Sequence, residues 1–259
     1  YKEAEENIIK GVWSQPGFIK LKCTNGKYYK MNFRISHTFE LGKMYIGNDL
    51  VLYLIDEKYE RMALNAINKI NSIKYTNDDM KKEFNKYLPQ VKESFRMISG
   101  EIGIVVIKDE DSVLLKDLLI YCKGKISLNE MNYIMNSLYS IVCFINYNGL
   151  THNGITVDSC FISIKNHYVS LLGGWWYAVK SGKALLDIPK EISSMLSYKC
   201  NQSSKANSIL DLESIKLIGR ILLCNNTDTI LSSGINIDSN LMIWLEENST
   251  DNPFNEYIK

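Results

Sequence analysis

The chain has 259 residues, 46% of them hydrophobic and 23% charged, which excludes disorder and low-complexity scaffolds and leaves one large domain or two close lobes. Lys plus Arg number 30 against 29 Asp plus Glu, so a formal net charge of +1 gives no global field for nucleic acid or an anionic membrane surface. The six cysteines are dispersed, with no CxxC pair and no histidine at ligand spacing, which argues against a disulfide framework and a zinc ribbon.

Several cysteines sit in apolar runs such as Ile141-Val142-Cys143-Phe144, where a buried thiol acts as a small hydrophobe. A reducing cytoplasm is the expected location, the host's if the protein is viral. No apolar run approaches the roughly 18 residues that span a bilayer. The opening Tyr-Lys-Glu-Ala-Glu-Glu is no signal peptide, and the missing Met fits removal of an upstream segment.

The first part reads as β-rich. Phe18 to Cys23 and Tyr28 to Ile35 flank an Asn25-Gly26 turn, a hairpin signal. Phe39 to Ile46 and Leu50 to Ile55 flank Gly47-Asn48-Asp49 and predict a second hairpin. The period then changes: Met62, Ala63, Ala66, Ile67 and Ile70 share one helical face, and Asp79 to Tyr87 is a short amphipathic stretch ending before Pro89. Ile102 to Ile107 reads as a buried strand.

The second part reads as helical with a small β insertion. Leu114 to Tyr121 is a short helix, and Ser127-Leu128-Asn129-Glu130 is a capping-box pattern opening a long helix to Tyr147. Two short strands, Cys160 to Ile164 and Tyr168 to Leu172, follow the loop at His152. After a polar loop from Ser197 to Ser208, Leu210 to Leu223 predicts an amphipathic helix, and Glu246 to Lys259 is polar with weak periodicity.

This order resembles the protein-kinase fold. The stretch His152-Asn153-Gly154-Ile155-Thr156-Val157-Asp158-Ser159 matches the kinase loop His-Arg-Asp-Leu-Lys-Pro-Glu-Asn and is followed by a short apolar strand. Gly154 stands at the catalytic base and Ser159 at the metal-binding Asn. Gly174-Trp175-Trp176 is the register matched to Asp-Phe-Gly, so Gly174 replaces the magnesium-binding Asp. Leu54 stands where the phosphate-pairing Lys belongs, and Glu60 is a remnant of the helix carboxylate. Gly42 and Gly47 are what remains of the phosphate-covering glycine loop. Asp211 matches the buried Asp that caps the catalytic loop, a structural role.

The resemblance extends to divergent kinase-like proteins that some bacteria and their phages encode. It implies an α+β, bilobal fold, with a β-rich N-lobe and a mainly helical, truncated C-lobe. The expected division is a β-hairpin extension over 1–36, an N-lobe over 37–108 and a C-lobe over 109–259.

The implied function is that of a catalytically inactive pseudokinase acting as a protein-interaction or regulatory module, with a protein partner, no cofactor, no metal, and nucleotide binding disfavoured. Two alternatives stand beside it. One is an atypical nucleotide-dependent transferase using Asp158, Asp187 or Asp211. The other is an unrelated α+β structural protein of a viral assembly.

His152 reads as a packing residue of the loop, and His37 and His167 as surface residues. Trp175, Trp176 and Tyr177 are candidates for partner binding. Adjacent Trp side chains point to opposite sides of an extended segment, so one is expected in the core and one at an interface. The runs Lys81-Lys82-Glu83 and Lys108-Asp109-Glu110-Asp111 read as solvated faces or turns.

Overall fold

The structure is a computed structural model that describes residues 2–124, 126–193, 205–224, 239–250 and 252–258. Most of the expected polar loop from Ser197 to Ser208, and Cys200 within it, lies outside the described residues.

The first element is a helix that the sequence reading does not contain, α1 (Lys2–Val12), which buries Ile9 and Val12. Strands β1 (Gly17–Lys22) and β2 (Tyr28–Phe33) form the expected hairpin. A five-stranded antiparallel sheet follows, built from β3 (Ile35–Phe39), β4 (Gly42–Ile46), β5 (Leu50–Ile55), β6 (Val91–Arg96) and β7 (Ile102–Ile107). Its order is β3-β4-β5-β7-β6. The expected strand from Phe39 to Ile46 is broken: Glu40 and Leu41 form a tight turn that lets β3 fold back on β4, with Phe39 opposite Gly42.

Side chains alternate across a strand, so β5 serves two cores. Val51, Tyr53 and Ile55 join the large core that reaches into the second half of the chain. Leu52 and Leu54 face outward with Val105, covered by Leu21 and Met31 of the β1–β2 hairpin. The hairpin is therefore a lid on the outer face of the sheet. Helices α2 (Glu60–Asn71) and α3 (Asp78–Phe84) lie between β5 and β6, and α2 buries Ala63, Ala66 and Ile70.

The chain leaves the sheet after β7 and passes through Lys108 into β8 (Ser112–Leu114). Lys108 is not the solvated residue that its charge run suggests. It is buried, and its Nζ donates to the carbonyls of Asp109 at 2.6 Å and Ser112 at 2.9 Å. Burial lowers its pKa to about 8. The Trp13 ring lies 5.2 Å from that Nζ, so the segment after α1 packs on the connection.

The second half holds α4 (Leu115–Tyr121), α5 (Leu128–Tyr147), α6 (Ile209–Cys224), α7 (Ser239–Glu246) and α8 (Pro253–Tyr257), with small strands β9 (Leu150–Thr151), β10 (Cys160–Ser163), β11 (Tyr168–Leu171) and β12 (Val179–Lys180). The capping box at Ser127 and Glu130 forms as read, satisfying N–H groups that helix geometry leaves open and contributing about 1 kcal/mol.

Helix α8 lies in the tail read as weakly periodic. Its Glu256 is buried 3.5 Å from the Lys216 Nζ, a distant partner that no local pattern announces. Among the described residues no helix is long and apolar enough to cross a membrane.

Candidate functional site

Between the sheet and the helical half lies a cleft of about 290 Å³ lined by β3, the β3–β4 turn, β5, α4, the His152 loop and the segment from Gly174 to Glu191. The loop that reaches its floor at Gly154 is held from behind by Asp211 at the start of α6. Asp211 Oδ2 accepts the His152 N–H at 2.8 Å and Oδ1 accepts the Asn153 N–H at 2.7 Å. Burial raises the Asp211 pKa to about 6, and the two N–H bonds act against that rise. Asp211 thus holds the backbone of the loop at His152 and Asn153.

Asn153 takes a positive φ of 64°, a conformation that Asn tolerates better than most residues. Its Nδ2 donates to Thr151 Oγ1 at 3.0 Å and to the Tyr177 carbonyl at 3.2 Å, which ties the loop to the later segment. His152 is fully buried. Its Nδ1 accepts the Gly154 N–H at 3.1 Å, so the proton sits on Nε2, which donates to the Gly173 carbonyl at 3.0 Å. Burial drives its pKa down to about 3, so the ring is neutral and serves as a packing post for Trp175, 4.9 Å away edge to face.

The positions matched to catalytic side chains are closed by contact. A Cβ on Gly154 would lie 2.7 Å from the Tyr177 ring and 2.9 Å from the Gly174 carbonyl oxygen. Gly174, at φ 78°, would place a Cβ 2.5 Å from the Gly154 carbonyl oxygen and 2.7 Å from His152 Cε1. Gly173 would place one 2.9 Å from the Tyr53 hydroxyl. Glycine at 154 and 174 lets the loop and the following turn touch, and glycine at 173 admits the tyrosine. Ser159 is buried and turned into its own loop, where Oγ donates to the Thr156 carbonyl at 3.0 Å and accepts the Thr156 N–H at 2.9 Å.

Several sequence expectations are corrected here. Leu54 faces away from the cleft, and Tyr53 is the β5 residue that enters it, because a shift of one residue in a strand exchanges faces. Glu60 pairs with Arg96 at a half-exposed position and is no remnant in the cleft. Gly42 begins β4 and Gly47 follows its last residue, Ile46, and the covering loop is replaced by the two-residue turn at Glu40 and Leu41.

His37 is no free surface residue: it lies 3.0 Å from Asp117 Oδ2, a partner 80 residues away that the sequence does not advertise. His167, exposed in its turn at φ 52°, fits the surface reading. Trp175, Trp176 and Tyr177 are all buried, at 1%, 6% and 4% exposure, so none presents a ring to a partner in this conformation. The two tryptophans do diverge, Trp175 toward His152 and Trp176 toward Phe39 and Tyr53, each with ring centres 5.1 Å away.

Glu40 is the residue that sequence reasoning missed. Its Oε2 accepts the Tyr177 hydroxyl at 2.9 Å and its Oε1 accepts the Lys190 N–H at 2.8 Å, so the turn of the sheet is strapped to the far wall. Asn65 of α2 adds bonds to the carbonyls of Trp176 at 3.2 Å and Ala178 at 2.8 Å. The mouth is acidic. Lys116 pairs with Asp158 at 3.1 Å, and Glu191 lies beside Asp158 at the rim, where lost hydration and the neighbouring carboxylate raise its pKa to about 7.

Magnesium and ATP, which the kinase resemblance implies, do not fit these residues. Three carboxylates and one ammonium line the cleft, and aromatic rings fill its inner wall. Among the described residues no group of three or more His, Cys, Asp or Glu could hold a metal ion.

No protein-family model matches the sequence and no curated protein matches it. Among solved structures the chain is similar to ROP2 from Toxoplasma gondii, described as a virulence factor with a protein-kinase fold and no enzymatic activity. The similarity has a TM-score of 0.60 at 10% identity and covers 100% of this chain and 86% of that one. The shared architecture extends over the whole chain. With its sheet-rich first part, its connection at Lys108 and its helical second part, the chain has the α+β protein-kinase fold.

Proposed function

We propose that this chain is a pseudokinase: a kinase-fold protein without phosphotransferase activity that serves as a protein-interaction or regulatory module, of the divergent kind that some bacteria and phages encode. The observation that carries the reading is the closed cleft floor, where Gly154, Gly173 and Gly174 hold contacts that a carboxylate side chain would break. Phosphoryl transfer rests on positioning and on charge stabilisation by metal ions, a lysine and a base. Each such group contributes roughly 10² to 10⁴ in rate, and the side chains at those positions supply none of it.

Charge argues the same way. A phosphate about 6 Å from an uncompensated carboxylate is repelled by about 3 kcal/mol at an effective dielectric near 20. The absence of enzymatic activity ascribed to ROP2 supports the reading. The rearranged transferase has little left to work with: both Asp211 oxygens hold backbone N–H groups, and Asp187 is exposed and accepts the Ile188 N–H. Asp158 is engaged by Lys116.

A thermal-shift titration with ATP and Mg²⁺ tests the catalytic half, because a ligand that binds only the native state raises Tm by mass action. No magnesium-dependent shift is expected, and a clear one overturns the reading. The interaction half is tested by purifying the tagged chain from its source cell and measuring stoichiometry. One partner at a fixed ratio is expected; a lone chain or general chaperones alone would count against it.

A further inference from the structure

We infer that the cleft is a binding site for an organic cation, an alkylammonium or guanidinium group. Its volume, about 290 Å³, sits at the low end of small-ligand sites and suits such a group with a short alkyl stem. Among its lining residues Glu40, Asp158 and Glu191 outnumber Lys116, so with all four ionised the wall carries a net charge of −2.

The Tyr53 hydroxyl is an independent sign. Tyr53 lines the cleft and is only 2% exposed, and its hydroxyl, buried beside Gly173, has no hydrogen-bond partner among the described residues. A buried hydroxyl without a partner costs about 1–3 kcal/mol, and a ligand N–H would satisfy its lone pair. The rings of Phe39, Tyr53 and Trp176 pack on one another beside the same cleft, with centres 5.1–5.9 Å apart and Tyr53 edge to face with the other two, and such rings attract cations.

The acidic mouth supports the same class of ligand. Glu191 is faced by Asp158, Glu40 and Lys116; lost hydration first, and then the two carboxylates, hold its proton on against the pull of Lys116. An arriving cation supplies the missing countercharge and favours the ionised form, so binding strengthens as pH rises through about 7. This site rests on the reading of the cleft as one that does not take nucleotide, and the two readings fail separately in the experiment.

The experiment is isothermal titration of the full chain with agmatine, with hexylamine and with a blocked Gly-Arg-Gly tripeptide, beside ATP with Mg²⁺. Saturable single-site binding of at least one cation is expected, tighter at about pH 8 than at about pH 6. Tighter binding of the tripeptide than of agmatine identifies a protein side chain as the source, and the reverse identifies a free amine. Y53F and E191Q should each weaken binding about tenfold while leaving the circular dichroism spectrum that of the parent.

No saturable heat from any cation up to about 10 mM overturns the site, as does binding unchanged in both variants. That outcome leaves the pseudokinase reading standing. Binding of ATP with Mg²⁺ overturns both.

Discussion

Restoring a carboxylate at Gly154 is the most direct test of the closed cleft. In G154A the new Cβ would lie 2.7 Å from a Tyr177 ring carbon and 2.9 Å from the Gly174 carbonyl oxygen. Both distances are shorter than real Cβ contacts, and Tyr177 has little room to yield because its hydroxyl is held by Glu40. Overpacking of this kind costs about 1–3 kcal/mol. G154D adds a buried carboxyl beside a carbonyl oxygen that repels it, which raises the expected cost to about 3–5 kcal/mol. For a chain of this size each kcal/mol lowers Tm by about 2–4 °C, so G154A should melt about 2–12 °C below the parent and G154D lower still. Thermal melts followed by tryptophan fluorescence read both, since Trp175 and Trp176 sit on the segment that must move. Parental Tm in G154D, or phosphate transfer gained by it, would refute the claim that contact closes this position.

Three further outcomes follow from the same geometry. D211N turns an amide N–H₂ toward one of two buried backbone N–H groups and should cost about 2–4 kcal/mol in urea unfolding. Y177F removes the hydroxyl that reaches Glu40, and the expected result is faster amide exchange at Lys190 and in the Glu40 turn with the fold retained; unchanged exchange would show that the strap does nothing. Glu191 is raised from 4.5 to about 7, so the native state holds its proton longer than the unfolded state. Its stabilising effect is present below pH 4.5 and is lost as pH rises toward 7, so the parent should lose stability relative to E191Q across that window in denaturant titrations at stepped pH.

Much of the architecture was written locally. The Asn25-Gly26 turn, the capping box at Ser127 and the helical face from Met62 to Ile70 each depend on neighbours within a few residues, and each forms as read, although the helix expected from Lys58 begins at Glu60. Strand β6 escaped notice because it is an edge strand whose central residues are exposed, so it lacks the alternation that marks a half-buried strand. Helix α1 escaped because charged residues dominate it and only Ile9 and Val12 are buried. The role of Asp211 was an expectation of the kinase resemblance and of no local pattern, since the His152 and Asn153 N–H groups that it accepts lie 59 and 58 positions away.

The cleft was legible only in outline. That Gly154, Ser159 and Gly174 stand where catalytic side chains are expected is a matter of order along the chain, and order alone does not say what fills the space. The tertiary structure brought Tyr53 inward instead of Leu54, because a residue's face is set by pairing with β4 and β7, and alternation makes a one-residue difference decisive. It joined Glu40 to Tyr177 across 137 positions, and His37 to Asp117 across 80. No local rule reaches such distances, since those bonds exist only after both lobes have packed. The sequence by itself determined most of the elements and their order. Packing decided that the vacated cleft would be floored by glycines, walled by aromatic rings and rimmed with carboxylates.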